Sequence, residues 1–138
     1  MSSPDLKVIH QPQATESDLL SKVIIIERGM RNLSDLKYLF EELKLVGYRV
    51  SMENAEVVLQ ANIDLGGVFL ADDGDRNTEC FALIQKIHES RPDLPIFLRI
   101  SPGQRMEELP IDVIGAIAGV FTSGDTGRVR ELVESYLF

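Results

Sequence analysis

Three short apolar runs constrain this chain more than anything else in it: Val23-Ile24-Ile25-Ile26, Gly67-Val68-Phe69-Leu70-Ala71 and Ile96-Phe97-Leu98-Arg99-Ile100. Each is too short and too uniformly apolar for a half-exposed helix. Each suits a strand covered on both faces. Between them lie segments with apolar residues at three- and four-residue spacings. Leu33, Leu36, Phe40, Leu43 and Val46 follow a cap at Asn32, and Gly47 is the expected helix end. A strand is expected at Tyr48–Met52, followed by a helix over 55–62 carrying Val57, Val58 and Ala61. Phe81, Ile84 and Ile87 mark a third helix, capped at Asn77 or Thr78 and closed by Arg91-Pro92-Asp93-Leu94-Pro95.

Pro102, Gly103 and Pro110 break the next segment, so 101–115 is expected to hold a short or interrupted helix with Met106, Leu109 and Val113 inward. Ile117–Phe121 reads as a fifth strand. Asp125 or Thr126 then caps a last helix whose buried stripe is Val129, Leu132, Val133 and Tyr136. Alternating buried strands and amphipathic helices require right-handed crossovers onto a parallel sheet with helices on both faces. The expected fold is therefore an α/β three-layer sandwich with five parallel strands in the flavodoxin-like order 2-1-3-4-5. Its site belongs at the carboxyl ends of the strands.

At 138 residues the chain is of single-domain size and should bury roughly 70% of its unfolded surface. Residues 1–20, rich in Ser, Pro, Gln and Thr, read as a partly disordered tail or loosely docked arm, and 21–138 as the domain proper. Within the tail, Leu6 to Ile9 is the apolar stretch. The net charge of −8 argues against non-specific nucleic-acid binding, which requires a basic surface. Cys80 is the single cysteine, which fits a reducing cytoplasm, and neither an export signal nor a membrane-length apolar run is present.

The strand-end loops narrow the chemistry further. The pattern resembles a response-regulator receiver, whose phosphotransfer needs an acidic pair after strand one and an acceptor Asp after strand three. It also needs a hydroxyl after strand four and a Lys after strand five. Asp72 falls at the acceptor position and Glu27 at one acid, a vestige of that site. Arg28 stands where the second acid belongs, the hydroxyl position falls near Ile100 or Ser101, and the Lys position falls near Thr122 or Ser123. Arg28 would repel a metal ion, so no metal site is expected and Asp72 reads as a loop acid. Other chemistries fail on their own terms. An EF-hand count begun at Asp73 places Thr78 at the required Gly and Ile84 at the required Glu. Glu27-Arg28-Gly29-Met30-Arg31-Asn32 is not the hydroxyl-rich loop a flavin phosphate needs. His10, His88 and Cys80 form no nucleophile–base pair. Arg28, Arg31, Arg99 and Arg105 are the basic residues that the fold brings near the strand ends and are the expected anion contacts.

Leu83-Ile84-Gln85-Lys86-Ile87-His88-Glu89, Leu94-Pro95-Ile96-Phe97-Leu98 and Ile117-Ala118-Gly119-Val120-Phe121, with Asp125-Thr126 opening the last helix, carry a narrower resemblance. Over residues 22–138 the chain resembles the N-terminal wing domain of bacterial inducible ornithine/lysine/arginine decarboxylases. That domain is receiver-like and not phosphorylated. The resemblance implies a domain with no catalytic residue and no cofactor of its own, with pyridoxal phosphate expected only in a catalytic domain that the sequence lacks. It implies assembly as a homo-oligomer or onto that catalytic domain, and a nucleotide effector bound between subunits. The alternative is a pseudo-receiver of a signalling protein.

Overall fold

The structure, a computed structural model, describes residues 6–10, 22–27, 36–61, 64–71, 77–122 and 124–137. Six strands form one sheet: β1 (Leu6–His10), β2 (Lys22–Glu27), β3 (Val46–Ser51), β4 (Gly67–Ala71), β5 (Ile96–Ile100) and β6 (Gly119–Thr122). Their order is β1-β3-β2-β4-β5-β6, and β2 to β6 are mutually parallel. Counted without β1, that is the expected 2-1-3-4-5 arrangement. The helices are α1 (Lys37–Leu43), α2 (Ala55–Ala61), α3 (Asn77–Ser90), α4 (Ile111–Ile114) and α5 (Thr126–Tyr136).

Strand alternation splits the core in two. Ile24, Ile26, Val68, Leu70, Ile96, Leu98 and Ile100 face α2, α3 and α4, where Val58, Leu59, Cys80, Ile84, Ile87 and Val113 meet them. Val23, Ile25, Phe69, Phe97 and Phe121 face α1 and α5, meeting Phe40, Val129, Leu132 and Val133. Phe69 is the centre of the second layer, with ring centroids 5.1 Å from Phe40, 4.9 Å from Phe97 and 6.1 Å from Phe121. Full burial of side chains this size contributes about 1.5–3 kcal/mol each, so both faces of the sheet are strongly committed. This explains why the uninterrupted apolar runs were legible as strands.

Several boundaries differ from the sequence reading: β3 runs Val46–Ser51 where Tyr48–Met52 is expected, and β6 runs Gly119–Thr122 where Ile117–Phe121 is expected. Helix α1 ends at Leu43, with Lys44 in the left-handed region at φ 60° and its N–H donating to the carbonyls of Glu41 and Phe40. Leu45 and Val46 are both buried at the start of β3, so the chain must turn before Gly47. Gly47 instead pairs with Val23 and His10 inside the sheet. The start of α1 expected at Asn32 lies outside the described residues. Helix α3 begins at Asn77, one residue before a cap at Asn77 would start it and two before a cap at Thr78 would. Strand β1 adds a sixth strand to the five expected. Leu6–His10, within the segment read as a tail or docked arm, pairs antiparallel with β3.

The broken segment before β6 behaves as its prolines require. A 3₁₀ turn at Met106–Glu108 and the single turn of α4 bury Leu109 and Val113. Helix α5 is capped by Asp125, whose carboxylate accepts the Arg128 N–H at 3.1 Å. Tyr136, expected in the buried stripe, is 53% exposed. It rests its ring edge on Phe97 at 5.8 Å and donates its hydroxyl to the Ala118 carbonyl at 3.3 Å. No described helix is long and apolar enough to cross a membrane.

Candidate functional site at the strand ends

The register aligns the carboxyl ends of four strands into one rim. Ile26 is level with Leu70, Leu70 with Leu98, Ala71 with Arg99, and Ile100 with Thr122. Glu27 closes β2 opposite Ser51. Arg28, Arg31, Asp72 and Ser123 lie outside the described residues.

The β5 end of the rim is fully described. Ile100 is 5% exposed and packs in the α2–α4 layer of the core. An apolar side chain there offers neither donor nor acceptor to a phosphoryl group. Ser101, the other residue read at the hydroxyl position, is half-buried and begins a tight turn. Its N–H donates to the Gln104 side-chain carbonyl at 3.3 Å and its carbonyl accepts from the Gln104 N–H at 3.0 Å, with Gly103 at φ 89° within the turn. Beside it, the Thr122 carbonyl accepts the Asp125 N–H at 3.1 Å, which ties the end of β6 to the cap of α5.

The two described arginines of the expected anion set occupy different environments. Arg99 is 6% exposed and, among the described residues, is the buried charged side chain. Alternation along β5 sets it on the same face as Phe97, beneath α1 and α5. Arg105 is 78% exposed, caps the Met106–Glu108 turn and pairs with Glu108 at 3.6 Å. One is a core cation and the other a solvated one.

Cys80 is buried on the inner side of α3. His88 lies on the same helix eight residues on, a rise of about 12 Å, beyond hydrogen-bond reach of the thiol. Among the described residues no three His, Cys, Asp or Glu side chains converge as a metal site.

The sequence reading missed two concavities away from the rim. A groove of 280 Å³ runs between α2 and α3 over Leu59 and Ile87. Across it Lys86 pairs with Glu56 at 3.2 Å, and Arg91 donates to the Leu59 carbonyl at 3.4 Å. A second hollow of 460 Å³ lies at the opposite end of the sheet, around Arg91 to Pro95 and Tyr136. Its signal in the sequence is the Arg91-Pro92-Asp93-Leu94-Pro95 turn that closes α3.

Neither a family model nor a curated protein matches the sequence. The fold does match solved structures. The signal receiver domain of an HD domain-containing protein from Pseudomonas fluorescens Pf-5 superposes with a TM-score of 0.67 at 17% identity, over 84% of this chain and 85% of that one. A response regulator receiver domain protein from Clostridium thermocellum gives 0.66 at 9% identity, over 85% and 94%. The lysine decarboxylase LdcF from Francisella novicida gives 0.54 at 14% identity; 85% of this chain matches 17% of the enzyme. At these identities the likeness establishes a shared fold, and that fold is the receiver's: five parallel strands in the order 2-1-3-4-5 with helices on both faces.

Proposed function

We propose that this chain is a non-catalytic receiver-like module that works by contact with other protein surfaces rather than by phosphoryl transfer. The observation that carries the reading is Ile100, buried in the core at one of the two residues read at the hydroxyl position, the other being the half-buried Ser101 of the following turn. The sequence supports it at two further places, with Arg28 in place of an acid and Thr122-Ser123 in place of the lysine.

The finer reading is the N-terminal assembly domain of a pyridoxal-phosphate decarboxylase of ornithine, lysine or arginine. It is supported by the resemblance across residues 83–89, 94–98, 117–121 and 125–126 and by the match of most of this chain to a 17% portion of LdcF. In that setting the cofactor belongs to another domain, a nucleotide effector would bind between subunits, and this chain contributes packing surface. A pseudo-receiver of a signalling protein is favoured by one observation of its own: the receiver domains superpose with higher TM-scores, 0.67 and 0.66 against 0.54.

Incubation of the full chain with acetyl phosphate and Mg²⁺, beside a functional receiver, tests the shared part of both readings. The expected result is no acyl-phosphate adduct by intact mass; stoichiometric labelling at Asp72 would refute it. The gene's own context separates the finer readings. A pyridoxal-phosphate domain encoded in the same reading frame supports the decarboxylase setting, and a histidine-kinase or DNA-binding partner supports the signalling one.

A further inference from the structure

Strand β3 has two hydrogen-bonding sides. One is filled along its whole length by β2, from Lys22 opposite Val46 to Glu27 opposite Ser51. The other is filled by β1, with Leu6 opposite Val50, Lys7 opposite Arg49, Val8 opposite Tyr48 and His10 opposite Gly47. Without β1 this side would present a row of unpaired N–H and carbonyl groups, a ready template for another strand.

The outer edge of β1 is poorly suited to that role. The strand is five residues long, carries Lys7 and has a register irregularity between Val8 and His10. Short length, lysine and bulging are the devices by which sheets discourage edge-to-edge association. The ladder able to join two chains is therefore the inner one, between β1 and β3.

The connection after β1 is much longer than the fold requires. β1 runs antiparallel, so His10 lies at the Gly47 end of β3, the same end at which Lys22 opens β2. These points are two strand spacings apart, about 10 Å. Eleven residues, Gln11 to Ser21, can span up to ~36 Å. A tether with that slack does not dictate which copy of β3 its strand occupies.

We propose that the outer side of β3 is a strand-accepting site that β1 of a second copy fills with the same ladder as β1 of its own chain, producing strand-exchanged dimers. The bonds are identical in the two arrangements, so concentration decides between them. A connection of eleven residues supplies its strand at an effective concentration on the order of millimolar. Exchange therefore becomes substantial when the chain itself approaches that concentration, as it does for copies held side by side in a larger assembly. The inference is independent of the phosphotransfer and decarboxylase readings.

Two variants of the full chain test it, one carrying Lys7→Cys and the other Arg49→Cys, both with Cys80→Ala. They are mixed, held at graded concentrations and mildly oxidised. The expected product is a covalent heterodimer whose yield rises about tenfold for each tenfold rise in concentration below saturation. Its yield should far exceed that obtained when an exposed Lys37→Cys replaces Arg49→Cys. A chain bearing both cysteines reports pairing within one molecule. An internal disulfide there with no excess heterodimer in the mixture overturns the proposal, as does the absence of either bond. Because Cys80 is buried, repeating the mixture with it retained keeps the outcome readable if its replacement harms folding.

Discussion

Gly119 on β6 lies so close beneath Leu132 on α5 that a Cβ at residue 119 would sit 2.5 Å from Leu132 Cδ2. Leu132 is itself buried, beside Val129 and Val133, so its side chain has little space to withdraw. The close approach of α5 to β6 thus depends on the missing side chain. Gly119→Ala is expected to cost about 1–3 kcal/mol through overpacking, measured by urea unfolding. Combined with Leu132→Ala, its added cost should largely vanish, a non-additivity that a double-mutant cycle reads directly.

Lys44 terminates α1 in a left-handed conformation while its side chain is exposed. A residue with a Cβ is strained there by roughly 1–2 kcal/mol, partly offset by the about 0.5–1 kcal/mol of backbone freedom that glycine loses on folding. Lys44→Gly should therefore raise stability by about 0.5 kcal/mol, whereas Gly47→Ala, inside β3, should show no such helix-end effect. Thermal or urea midpoints of the two variants check the assignment of the helix end.

At the start of α5, the Asp125 carboxylate takes up an N–H that the helix cannot satisfy internally. Asp125→Ala is expected to cost about 1 kcal/mol and Asp125→Asn or Asp125→Ser much less. Equilibrium unfolding of the three variants would place the cap; equal losses in all three would point to charge at the helix start instead.

The sheet was legible because β4 and β5 are buried on both faces and therefore appear as near-continuous apolar runs bounded by turns, broken in β5 by Arg99 alone. The helix positions followed from Phe40, Ile84, Val129 and Leu132, whose spacing reports a single buried side. The errors arose where a long-range demand overrode a local one. Gly47 looks like a helix stop, yet burial of Leu45 and Val46 draws the strand back past it. Leu6–His10 has too few residues for a periodic signal, and its pairing with β3 is set by an open ladder some 40 positions away. The rim chemistry was legible in part. Counting along β5 narrows the hydroxyl position to Ile100 or Ser101, but the burial of Arg99 is a property of the helices that pack over it.

Arg99 and Arg105 provide the sharpest test of that last point. Both were expected anion contacts near the strand ends, and the structure separates them into a buried cation level with Ala71 and Phe121 and a solvated one paired with Glu108. A buried guanidinium contributes the packing of its stem and hydrogen bonds that water cannot replace once it is removed. Arg99→Ala should accordingly cost about 1–3 kcal/mol, and Arg99→Lys should recover part of it. Arg105→Ala should stay within about 0.5 kcal/mol of the parent, as an exposed i,i+3 pair predicts. Urea unfolding measures both, and titration of each variant with inorganic phosphate, followed by amide chemical shifts, separates structure from binding. If Arg105 serves as an anion contact, its loss weakens phosphate-induced shifts at the β5–α4 loop while leaving the unfolding midpoint unmoved. If Arg99 is a structural cation, its loss lowers the midpoint and leaves phosphate affinity unchanged in the protein that remains folded.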